Sequence, residues 1–197
     1  MNVQEAGWLQ GVLKGDEEAF ARLVEAYQTP VYNLCYRMLG NMEEAEDAAQ
    51  ETFWRAFKAI RRYDPNRSFI TWLLSIAAHY CIDQQRRFTP PSLSIEWMPD
   101  EDIPDAAPNP EQEAYRSEEQ RMLHNLLNQL NPQDRAVIIL RYWHEMSHEE
   151  IAQTLSLTES AVKSPLHRAR LQLANSWPSV HPDAHNSEKE KYESRAF

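Results

Sequence analysis

Ser147-His148-Glu149-Glu150-Ile151-Ala152-Gln153-Thr154-Leu155-Ser156-Leu157-Thr158-Glu159-Ser160-Ala161-Val162-Lys163-Ser164-Pro165-Leu166-His167-Arg168-Ala169, residues 147–169, decides the fold. Ser147 and Glu150 stand at capping-box spacing just before Ile151. This predicts a short helix over 149–155, a turn at 156–158 and a last helix over about 159–176. Two short helices with such a turn form a helix-turn-helix, whose second helix lies on DNA. Val162, Leu166, Ala169 and Leu173 are spaced four, three and four, so they share an inward face. Ser160, Lys163, Ser164 and His167 fall on a different face. A cation and small polar groups there suit phosphates and base edges.

Upstream, Asn131-Pro132 supplies a capping residue and a proline at the first helical position. Val137, Ile138, Leu140 and Tyr142 then offer an apolar surface. Further towards the N-terminus, Gly15-Asp16-Glu17-Glu18 opens a helix, and Phe20, Leu23, Val24 and Tyr27 follow at helical spacing. Thr29-Pro30 predicts a break, with a resumed helix over 31–39. Gly40-Asn41 ends that helix and caps the next. Further helices are predicted over 42–60 and 68–87. No stretch alternates as a strand does, so the fold class is all-α.

Six of the twelve prolines fall in residues 90–110, together with Asp100, Glu101, Asp102 and Asp105. Proline removes donors and like charges repel, so this stretch reads as an extended linker between two small helical domains. The expected division is 1–88, a linker at 89–110, a second domain at 111–177 and a disordered tail at 178–197. No long apolar run marks a signal peptide or a membrane span, which points to a cytoplasmic protein. Cys35 and Cys81 lie in apolar stretches with no partner at metal-ligand spacing and read as reduced core residues.

The net charge of −10 argues against nucleic acid until its distribution is read. Residues 59–88 hold five basic and two acidic residues, and 158–177 hold three basic and one acidic. Two basic islands therefore sit in an acidic chain. Few cations are available to displace counterions, so the chain needs a partner to hold DNA.

The helix over 42–60 carries a second signal. Ala45, Ala49, Phe53, Ala56 and Ile60 form its buried stripe, and Asp47, Gln50, Trp54 and Lys58 face the other way. A tryptophan on a polar face marks a protein interface with Trp54 as its anchor, the alternative being a ring tucked under a neighbouring helix of its own lobe. In Arg61-Arg62-Tyr63-Asp64-Pro65-Asn66-Arg67-Ser68-Phe69-Ile70-Thr71-Trp72, aromatics interleave with cations, a pattern suited to stacking single-stranded bases, although Phe69 and Trp72 read equally well as core aromatics beside a solvated charged loop. Arg86 and Arg87 extend that basic patch. His144-Glu145-Met146-Ser147-His148 matches a zinc-protease pattern, but that chemistry needs both histidines on one continuous helix. Ser147 reads as an N-cap between them. No catalytic residue, metal site or cofactor is expected.

Taken together these residues resemble the extracytoplasmic-function group of bacterial sigma factors. Asp47-Ala48-Ala49-Gln50-Glu51-Thr52-Phe53 resembles the region-two helix that grips the polymerase clamp. Phe69-Ile70-Thr71-Trp72-Leu73 and Ser75-Ile76-Ala77 resemble the promoter-melting segment. Glu149-Glu150-Ile151-Ala152, Ala161-Val162-Lys163-Ser164 and Leu166-His167-Arg168-Ala169-Arg170 resemble region four. The resemblance implies a factor that binds core RNA polymerase at its clamp and flap and directs promoter-specific initiation of stress or envelope-response genes. It implies that Asp47, Gln50, Glu51 and Trp54 face polymerase. Arg61, Arg62, Tyr63, Asn66, Arg67, Phe69, Trp72, His79, Arg86 and Arg87 would hold the minus-ten element. Ser160, Lys163, Ser164, His167 and Arg168 would read the minus-thirty-five element. An anti-sigma factor is a further implied partner, and membrane insertion is not.

The resemblance also flags departures. Pro165 stands where arginine is common, which implies a kinked helix and one lost cationic DNA contact. Ser156 replaces a turn glycine, which implies backbone strain. His79 stands where asparagine is common, which implies a changed minus-ten base preference. The acidic linker is expected to thread the positively charged cleft of the polymerase. Three rivals compete: a stand-alone helix-turn-helix regulator, which has no need of the Asp47–Phe53 surface, a metal-dependent hydrolase based on His144 and His148, which the Ser147 cap argues against, and an adaptor with vestigial DNA contacts.

Overall fold

A computed structural model describes residues 3–88 and 121–180, and every described element is helical. The expected linker at 89–110, the expected start of the second domain at 111–120 and residues 181–197 of the expected tail at 178–197 lie outside the described residues. Helix α1 spans Val3–Leu13, α2 Glu17–Leu39, α3 Met42–Ala59 and α4 Phe69–Phe88, with a single 3-10 turn at Ile60–Arg62. Residues 121–128 form α5. Helices α6 (Pro132–Tyr142), α7 (His148–Thr154) and α8 (Glu159–Val180) follow among the described residues.

Local chemistry sets most of the helix ends. Asp16 caps α2 by accepting from the amides of Glu18 and Ala19 at 3.0 and 3.2 Å. Gly40 ends α2 at φ 82°, a left-handed conformation that suits glycine, and its N–H donates to the Tyr36 carbonyl at 2.8 Å. Asn41 then caps α3 through the Glu44 amide. Asn131 caps α6 with Pro132 at its first position. The predicted capping box forms in both directions: the Glu150 amide donates to Ser147, and the Ser147 amide donates to Glu150. Thr158 accepts from the Ala161 amide and so takes a similar role before α8.

Three expectations about the helices need correction. Pro30 does not break its helix, because α2 runs unbroken from Glu17 to Leu39. An interior proline costs about 3 kcal/mol, which burial of Leu23, Val31, Leu34, Cys35 and Met38 on one side of the helix offsets. Helix α1 was not anticipated, since Gly7 and Gly11 depress helix propensity. It forms by burying Leu9 and Val12. A Cβ at Gly11 would come within 2.8 Å of the Ala19 Cβ, so the crossing of α1 over α2 depends on that glycine. Helix α8 also runs past the expected end near 176, to Val180.

The first lobe packs α2 against α3 and α4, with Leu23, Leu34, Met38, Leu73 and Leu74 fully buried. The second packs α6 and α7 on α8 around Ile138, Ile151, Val162 and Leu166. The two lobes also pack on each other, through α2 and α4 against α6 and α7. Arg135 of α6 crosses this seam and donates to the Met38 carbonyl at 2.7 Å, near the C-terminus of α2. Gln85 of α4 donates to the same carbonyl. The carbonyls at the end of a helix carry its negative pole, which suits the guanidinium.

Candidate nucleic-acid interface

The residues expected to face polymerase lie along one side of α3. Ala45, Ala48, Thr52, Phe53 and Ala56 turn inward, and Asp47, Gln50 and Trp54 are exposed. Glu51 is half-buried and holds Arg55 at 2.7 Å. The Trp54 ring remains 53% exposed, so it is not tucked under its own lobe. The Lys58 ammonium lies 4.2 Å from the centre of that ring, and Phe57 stacks beside it at 6.5 Å. Trp54 and Phe57 border an apolar groove of about 470 Å³ floored by Phe20, Val24 and Phe53. Phe57, 39% exposed, belongs to this surface and was missed in the sequence. Its position three residues after Trp54 was the available signal.

The basic loop is built on a turn. Asp64-Pro65-Asn66-Arg67 closes with the Arg67 amide donating to the Asp64 carbonyl at 3.0 Å, the arrangement favoured by Asp first and Pro second. The Asp64 carboxylate accepts from both the amide and the side chain of Asn66, which fixes that side chain. Arg61, Arg62, Asn66 and Arg67 are exposed. Tyr63 and Phe69 are not: they are 8% and 2% exposed. The expectation that both offer their rings to bases fails in this structure, because the rings pack edge to face in the core, 5.4 Å apart. The Tyr63 hydroxyl donates to the Arg67 carbonyl at 2.6 Å, so this pair supports the loop from beneath. Trp72 leans on both rings and stays half-buried.

Along α4, Trp72, His79 and Arg86 recur every seven residues and so share one face. His79 is exposed, and its Nδ1–H donates to the Ser75 carbonyl at 2.7 Å, which leaves Nε2 pointing away from the helix backbone. Arg86 and Arg87 are exposed at the far end. At 1.5 Å per residue they lie roughly 25 Å from the loop, so they end a track rather than extend one patch.

On α8, Ser160, Lys163, Ser164 and His167 are exposed on one side. Arg168 is exposed as well, its side chain 58% accessible, but its guanidinium is engaged. It makes a two-pronged contact with the buried Asp134 of α6, at 2.8 and 3.1 Å, and so ties α8 to α6. Pro165 is buried among Val162, Leu166 and Ala169, and α8 continues through it. Position 165 is three residues from Val162, on the inward face, so it is not a lost DNA contact. Ser156 adopts φ 55°, the strained left-handed conformation expected there, and so does Glu145 at φ 53°.

His144 and His148 lie on opposite sides of the turn that contains Glu145 and the Ser147 cap, so no continuous helix pairs them. The Cys35 and Cys81 thiols meet in the core of the first lobe, where their hydrogen bond and burial raise the Cys81 pKa. No described helix is long and apolar enough to cross a membrane.

Residues 23–89 match Sigma-70 region 2, and residues 120–173 match Sigma-70, region 4. The ECF RNA polymerase sigma factor SigW of Bacillus subtilis (strain 168) is 38% identical over 170 residues, covering 82% of this chain and 90% of that protein. The ECF RNA polymerase sigma factor SigE of Mycolicibacterium smegmatis is 36% identical over 164 residues, covering 81% of this chain and 63% of that one. CnrH, solved in complex with the cytosolic domain of CnrY, shares the fold with a TM-score of 0.68 at 23% identity, over 89% of this chain and 98% of CnrH. The chain belongs to the ECF sigma factors, the extracytoplasmic-function branch of the sigma-70 family. It is an RNA polymerase sigma factor that directs transcription initiation.

Proposed function

We propose that three surfaces divide the work of initiation and that the chain itself catalyses no step. The groove at Trp54 and Phe57, rimmed by Asp47, Gln50 and Glu51, seats a helical element of core polymerase. The exposed loop cations and the Trp72–His79–Arg86 track hold the opened minus-ten strand. Ser160, Lys163, Ser164 and His167 read the minus-thirty-five duplex. The observation that carries this reading is the exposed Trp54, a large ring on a polar helix face beside an apolar groove. A stand-alone DNA-binding regulator has no use for such a surface. An anti-sigma factor competing for the same groove fits its apolar character.

This division requires the lobes to part. Elements roughly 25 base pairs apart lie about 85 Å apart at 3.4 Å per base pair. A packed body of this size is only about 40 Å across. The acidic linker, 89–110, is the segment we assign to bridging that span and to lying along the positively charged nucleic-acid cleft.

Lys163→Ala tests the duplex-reading face. With holoenzyme on a promoter duplex, it should weaken binding on every sequence and lower the slope of log affinity against log salt by about 0.9. Arg168→Ala should leave that slope unchanged and cost folding stability instead, because Asp134 loses its partner. An unchanged slope for Lys163→Ala places that side chain away from phosphate.

A further inference from the structure

The seam between the lobes collects basic groups with no counter-ion among the described residues. Arg37 comes from α2, His124 from α5, Arg135 from α6 and His144 from the turn after α6. Four of their nitrogens are buried without a hydrogen-bond partner: Arg37 Nε, His124 Nδ1, Arg135 Nε and His144 Nε2. His124 is 5% exposed and Arg135 is 7% exposed. His124 meets the Tyr36 ring edge-on at 4.5 Å, and Arg37 lies 5.2 Å from the centre of the Trp143 ring. The same contacts hold the lobes together.

Among the described residues no carboxylate is placed to answer a further positive charge there. The charges that reach His124 are Arg37 and Arg135, and the one that reaches His144 is Arg37. On α4 the nearest seam residue is the neutral Gln85, and Asp83 is exposed. On α6, Asp134 is committed to Arg168, and Arg141 donates to the Met146 carbonyl. On α7, Glu150 is held in the capping box and Glu149 by Gln153. The α2 carbonyls of Tyr36 and Met38 are already taken.

We propose that the seam is an acid-sensitive latch: protonation of His124 and His144, beside Arg37 and Arg135, drives the two lobes apart. The consequence for transcription rests on the reading that the lobes must separate to span a promoter. Burial, and then the neighbouring arginines, lower both imidazoles, His144 to about 4. The sign follows. In the open form these histidines titrate near their ordinary value of about 6.5, so below that pH the open form takes up protons that the closed form refuses. Closure is therefore complete above about 6.5 and is lost as pH falls towards 4. At pH 5.5, His144 alone raises the open-to-closed ratio about tenfold, and His124 adds in the same direction.

Energy transfer between dyes on the full-length chain carrying Glu25→Cys and Gln153→Cys reads the lobe separation, since the native cysteines are fully buried. Between pH 7.5 and 5.5 the long-distance population should rise about tenfold relative to the closed one. With His124→Gln and His144→Gln together, the rise should vanish. A population that ignores pH, or a double variant that responds as the parent does, overturns the latch. If the double variant loses its helicity, Arg37→Gln carries the test: it should make the pH response shallower without abolishing it, since burial remains, and an unaltered slope overturns the proposal. Polymerase takes no part in the measurement, so failure here and failure of the functional reading are separable.

Discussion

Trp54→Ala lowers affinity for core polymerase about 30-fold, which corresponds to about 2 kcal/mol, the loss typical of a central aromatic anchor. The ring is 53% exposed in the free chain, so its burial on contact is available to binding rather than already used in folding. Phe20, Phe53 and Phe57 line the groove beside it and give the partner an apolar wall. Thermal unfolding of the variant should match the parent, because Trp54 packs only against Phe57 and Lys58 of its own helix among the described ring contacts. Asp47→Asn, at the polar rim, should cost much less and mainly change the dependence on salt. Titration of labelled core polymerase separates these outcomes. Full affinity in Trp54→Ala removes the groove from the interface.

Phe69→Ala destabilises the fold by about 3–5 kcal/mol. The ring is 2% exposed and touches Tyr27, Tyr63 and Trp72, so truncation leaves a cavity beneath the basic loop. Urea unfolding measures the loss. Trp72→Ala should cost less stability, since that ring is only half-buried, and should weaken minus-ten strand binding more. A Phe69→Ala protein as stable as the parent would mean that the ring is not core, and would restore it as a base-stacking residue.

The helix ends were legible in the sequence because capping is local chemistry. Asp16, Gly40-Asn41, Asn131-Pro132 and Ser147 with Glu150 each marked a boundary from side chains within four residues. Pro30 misled for the complementary reason. Its cost is local, whereas the burial of Leu34 and Met38 that outweighs it depends on α4 and the rest of the core. Trp54 was recognisable from its place on a polar face. Tyr63 and Phe69 were not separable from Trp72 by composition, because aromatics among cations read alike whether they support a loop or face a base. Arg168 shows the same limit. Its partner Asp134 is 34 residues away, and only the packing of α8 on α6 brings them together. The seam between the lobes left no periodic signal, since it joins Arg37 and Met38 to side chains beyond the linker.

Run-off transcription with core polymerase, the full-length chain and a promoter library tests the central claim most directly. The account predicts discrete start sites that appear only with this protein and share two upstream elements at fixed spacing. It also predicts that Trp54→Ala suppresses them. Start sites that are independent of the protein, or specific starts that survive loss of Trp54 undiminished, would contradict it.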